Sequence, residues 1–139
     1  MLLAAMVAVS AAARADTCKR SDFEGVVEQA AFALHELNLK NKPLFQSKLA
    51  DLKQKRGWSH DQFMAEAAPL VQDEQIADFD NKSSAMLDRI QSGGQEGAMA
   101  RAPDCALLAA LQTTLKALIE VQQAKWAYMM QKVDAELAR

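Results

Sequence analysis

A chain of 139 residues, half of them hydrophobic and 24% charged, has the balance of one globular domain and not of a disordered segment. Its formal net charge of −2 leaves no basic excess of the kind that nucleic acid or an anionic membrane surface selects, so neither is expected as a partner. Ala, Leu, Gln, Glu and Lys dominate, Gly and Pro number only five and three, and β-branched runs are missing, so the composition leans to helix, no strand candidate stands outside the N-terminus, and an all-α fold is expected.

Met1 to Ala12 is almost wholly apolar, and Ala13-Arg14-Ala15 sets small residues at the two positions that signal peptidase reads. Residues 1–15 are therefore expected to be a cleaved secretory signal peptide, with 16–139 forming a single helical domain in the periplasm or secreted. The run is shorter than the roughly twenty apolar residues of a membrane-spanning helix, so no integral membrane segment is expected after its removal. No Lys or Arg precedes it, which would place the usual basic region upstream of Met1. Cleavage takes Arg14 away and lowers the net charge by one, to −3. The alternative is an uncleaved, buried apolar helix.

Export gives the cysteines their meaning. Only Cys18 and Cys105 occur, and in an oxidising compartment an even pair in a small domain is most simply one disulfide. Closing a loop of nearly ninety residues is worth about 4 to 5 kcal/mol by chain entropy. Two free buried thiols, or a bridge between chains, are the alternatives. A metal site is not expected, because two thiols without CxxC spacing or a nearby His lack the ligand count.

Along the mature chain, Ser21-Asp22-Phe23-Glu24 reads as a capping box opening a first helix, whose apolar stripe is Phe23, Val27, Ala30, Leu34 and Leu37 and which fades near Lys40-Asn41. Pro43 opens a second helix with Leu44 or Phe45, Leu49 and Leu52 inside, a basic last turn of Lys53, Lys55 and Arg56, and Gly57 as its stop. Ser59 and Gln62 form another capping box, with Trp58 stapled to Phe63, and Pro69 ends or kinks this third helix. Asp73-Glu74 starts a fourth helix with Ile76, Phe79, Met86, Leu87 and Ile90 inward, terminated by Ser92-Gly93-Gly94 and followed by a loop to Arg101.

From Ala102 onward no Gly or Pro follows Pro103, and Leu108, Leu111, Leu115, Leu118, Gln122, Trp126, Met129, Val133 and Leu137 recur at steps of three and four. This long C-terminal helix would extend about 50 Å, enough to outrun a small domain. The predicted architecture is a single-domain bundle of about five helices stapled by one disulfide, with the first and last helices starting from the same end.

No motif carries catalysis. His35 and His60, the only histidines, have no nucleophile beside them; a hydrogen-bonded, partly buried role suits His35 and a solvated one His60. No CxxCH exists for haem, and no cofactor is expected. The acidic run Asp73, Glu74, Asp78, Asp80 and Asp88 fails as a calcium loop, because Ser83 takes the glycine place and Arg89 the bidentate acid's. What remains is Trp126, Tyr128, Met129, Met130 and Val133, residue types enriched in interface cores, on the part of the last helix expected to protrude. The expected function is that of an exported, non-enzymatic helical interaction protein, chaperone-like or of inhibitor or immunity type. It would bind another protein, or itself as a homodimer, through the C-terminal helix. The alternative is a carrier holding an apolar small molecule between helices.

Overall fold

The computed structural model describes residues 17–139; the expected signal peptide lies outside the described residues. Four helices account for nearly all of this length, and no strand occurs among the described residues. They are α1 (Arg20–Arg56), α2 (His60–Val71), α3 (Glu74–Met99) and α4 (Cys105–Leu137).

Three local signals act where the sequence places them. Gly57, at φ 63°, ends α1 in the left-handed conformation, with its N–H bonded to the Gln54 carbonyl. Ser59 and Gln62 exchange reciprocal bonds at 2.9 and 3.2 Å to open α2. The Asp73 carboxylate caps α3 by accepting from the Ile76 N–H at 2.8 Å. Two starts differ slightly. Asp22, not Glu24, reaches back to the Lys19 N–H, so α1 begins a residue before Ser21, and Asp104 caps α4 while Pro103 stays outside the helix.

The count of about five helices is corrected to four, because Pro43 does not separate two of them. A proline inside a helix costs about 3 kcal/mol relative to Ala, chiefly through one lost bond and a clash with the carbonyl four residues back. Here that carbonyl belongs to Leu39, and both residues lie on the exposed side of α1, where a carbonyl without its helical partner is cheaper to leave than in the core. Apolar packing on both sides of the break, Ala30 before it and Phe45, Leu49 and Leu52 after it, holds the helix together. Pro69 is likewise passed by two residues before α2 ends.

Ser92-Gly93-Gly94 does not terminate α3 either, and the expected loop from Gln95 is helical to Met99. Gly93, Gly94 and Gly97 are buried and continue the inward stripe of Ile76, Ser83 and Ile90. Their missing side chains are space for neighbours: a Cβ would lie 2.6 Å from Leu111 Cδ2 at Gly93, 2.5 Å from Val27 Cγ2 at Gly94 and 2.0 Å from Phe23 Cδ1 at Gly97. Close approach to α1 and α4, not helix ending, is their role.

The long helices assemble with α1 and α4 parallel and α3 antiparallel to both. Cys18 and Cys105 are bridged with a Cα separation of 5.6 Å, joining the starts of α1 and α4. At the far end the Arg56 guanidinium donates to the Glu136 carbonyl and carboxylate at 2.9 and 3.1 Å, and Lys55 to the Leu137 carbonyl. Parallel helices align their dipoles unfavourably. Asp22 and Asp104 at the two N-termini and this basic last turn at the C-termini counter that repulsion. Because α1 is longer than α4, the C-terminal helix is accompanied to its end and does not project. It is the one described helix apolar and long enough to cross a membrane; here its stripe forms the centre of the bundle.

The core falls into two clusters. Near the disulfide, Phe23, Val26, Ala30, Ile90, Leu108, Leu111, Leu115 and Leu118 pack together; at the far end, Phe45, Leu49, Leu52, Ala67, Leu70, Ile76, Met129 and Val133 do so, with α2 closing that end. Between them the Gln122 amide donates to the Ser83 hydroxyl at 2.6 Å, a polar rung joining α4 to α3.

Candidate functional site

The residues singled out on the C-terminal helix belong to the second cluster. Met129 and Val133 are buried, and Trp126, Tyr128 and Met130 pack against it. Trp126 meets Phe45 edge to face with ring centroids 6.2 Å apart, and its indole N–H is buried without a hydrogen-bond partner among the described residues. Tyr128 packs beside Phe79 and donates its hydroxyl to Asp73 Oδ2 at 2.6 Å. The Lys132 ammonium donates to the same oxygen at 2.6 Å and to the Pro69 carbonyl.

This network ties three elements together and sets two proton affinities. Bonds from Lys132, Tyr128 and the Ile76 N–H hold the Asp73 carboxyl at about 2, below its ordinary 3.8. The phenol of Tyr128, donating to that carboxylate, is pushed above its ordinary 10.0.

The grooves between helices are surface features with mixed rims. One, about 740 Å³, runs beside the disulfide between Thr17, Ser21, Gln29, Leu108 and Gln112, and a second of about 660 Å³ lies under Tyr128 between Glu74, Asp78 and Asn81. In the first, the Cys18 N–H donates to Cys105 Sγ at 3.2 Å. His35 and His60 are both exposed, one on the outside of α1 and one at the start of α2. Among the described residues no three His, Cys, Asp or Glu side chains converge to hold a metal.

The outer face of α1 carries a feature that the inward stripes do not reveal. Phe32 is 66% exposed and Leu39 58%, and Pro43 completes their line at steps of seven and four residues. Leu44, offered as an alternative to Phe45 for the core, is instead 52% exposed, on a different side of α1 from this line. The available signal is a second apolar line on the same helix, opposite Phe23, Ala30 and Leu34. Met64 and Val71 of α2 and Met99 of α3 are the other large apolar side chains left exposed.

The fold and this surface together define a disulfide-stapled helical bundle with an apolar outer helix face. Comparison of the chain with protein-family models, with curated proteins and with solved structures returns no match.

Proposed function

We propose that the chain is an exported, non-enzymatic interaction protein that binds another polypeptide through the outer face of α1. The observation that carries this reading is the line of Phe32 and Leu39, large apolar side chains mostly open to water on a face that no other described element covers. Single exposed apolar residues are ordinary on a monomer; an aligned set along one helix is the pattern of helix-face recognition. Covering what remains exposed of these two side chains is worth roughly 2 to 4 kcal/mol. Export to the periplasm or medium is supported by the intramolecular disulfide, which is compatible with an oxidising compartment. The interface expected on the C-terminal helix moves to α1 in this reading, because Met129 and Val133 already fill the core.

The test is a photo-reactive side chain placed at position 32 or 39 in the producing cell, with the same group at Met99, exposed on α3, as control. Cross-linked polypeptide at 32 and 39 and none at 99 is the expected result. Equal labelling at all three positions, or at none, contradicts the reading.

A further inference from the structure

Resting on that interaction reading, we infer that the occupant of the outer α1 face is a second copy of the same chain, laid antiparallel with a two-fold axis passing α1 near residue 38. At 100° per residue, Phe32, Leu39 and Pro43 fall within about 40° of one another around the helix, giving a narrow apolar seam. A two-fold relating antiparallel helices sets residue i opposite a residue j of the other copy with i and j summing to a constant, here near 76. Leu39 then lies about 3 Å along the axis from its own counterpart, and Phe32 of each copy within about one residue of the level of Pro43 of the other.

Charge selects this arrangement over a parallel one. Glu36 and Lys40, both exposed, lie on the same side of the seam. Although they are four residues apart on one helix, they form no ion pair with each other or with any other group among the described residues. A parallel two-fold carries that side of one helix to the opposite rim of the other, where Glu36 and Lys40 no longer face each other. An antiparallel two-fold keeps the side in place and, about residue 38, sets Glu36 of each copy opposite Lys40 of the other, giving two complementary contacts on one rim of the seam. The seam is short and its apolar area is of the order of a few hundred Å² per copy, the size of a transient contact, so a dissociation constant in the range of about 10 to 100 μM is expected.

The charges make the test specific. Sedimentation velocity on the disulfide-bonded chain, purified from the compartment to which it is exported, is run from about 1 to about 300 μM. Three variants follow: Glu36→Lys, Lys40→Glu and Leu39→Glu. All three sites are exposed, and circular dichroism checks that the helix content is kept. The expected result is a monomer–dimer equilibrium weakened about tenfold or more in each variant and recovered when Glu36→Lys and Lys40→Glu chains are mixed, since both rim contacts of the mixed pair then join a lysine to a glutamate. A chain that stays monomeric, or a dimer that none of the three variants weakens, overturns the inference. If the chain is monomeric while a photo-reactive group at position 39 captures a different polypeptide, self-pairing is wrong and the interaction reading stands. No capture at 39 overturns both.

Discussion

Replacing Gly97 with alanine should destabilise the protein, although alanine is the better helix former. The added Cβ would lie 2.0 Å from Phe23 Cδ1 and 2.2 Å from Cε1, well inside carbon–carbon contact distance. Relief requires the Phe23 ring to move, and that ring is fully buried with Val26, Ile90 and Leu108 in the same cluster. Overpacking of this kind costs about 1 to 3 kcal/mol and at times more, while the gain in helix preference is at most about 1 kcal/mol and smaller so near the end of α3. A net loss of about 2 kcal/mol is expected, a fall in Tm of roughly 6 to 10 °C for a domain of this size. Gly25→Ala is the matched control, since nothing lies within 4 Å of its Cβ position in α1. It should raise stability by about 0.5 to 1 kcal/mol. Thermal and urea unfolding of the disulfide-intact protein, followed by circular dichroism, reads both. A Gly97→Ala protein as stable as the parent would refute the reasoning that the glycines exist for close packing.

Removing the bridge by Cys18→Ser with Cys105→Ser should lower stability by about 4 to 5 kcal/mol in urea unfolding, from a closed loop with a sequence separation of 87; a loss under about 1 kcal/mol would contradict the staple. For pH, the Asp73 carboxyl sits lower in the folded chain than its ordinary 3.8, so its contribution is present above about pH 4 to 5 and is lost as the pH falls towards 2. Melting temperatures taken from pH 6 to pH 2 should fall less steeply for Asp73→Asn than for the parent, and parallel curves would sink the assignment. In the polar rung, Gln122→Leu should cost about 1 kcal/mol by leaving the Ser83 hydroxyl unpartnered, and adding Ser83→Ala should recover most of it; additive losses in this double-mutant cycle would argue against the bond.

Signals that act through the backbone itself are legible in the sequence. Gly57 needs its left-handed φ, Ser59 and Gln62 satisfy each other's amides, and Cys18 and Cys105 have one connectivity; each depends on residues within a few positions or on simple arithmetic. Pro43 and Gly93-Gly94 mislead because breaker residues have only local costs, of a few kcal/mol at most, which tertiary burial on both sides exceeds. The seven-residue steps of the α3 stripe, from Ile76 through Ser83 and Ile90 to Gly97, are the available clue that the glycines face inward. The surface expected on the C-terminal helix raises a different problem. Trp126 to Val133 looks as if it projects when α4 is measured against a compact domain, whereas the merger across Pro43 makes α1 long enough to cover it. Phe32 and Leu39 escape a sequence reading because periodicity shows which residues share a face and not which face meets the core.

The most direct measurement is a dilution series of the isotope-labelled, disulfide-bonded chain followed by amide chemical shifts in two-dimensional NMR. Concentration-dependent shifts confined to the outer face of α1, at Phe32, Glu36, Leu39 and Lys40, with Trp126 to Val133 unmoved, are the predicted result. Shifts centred on the end of α4, or none at any concentration, would contradict it.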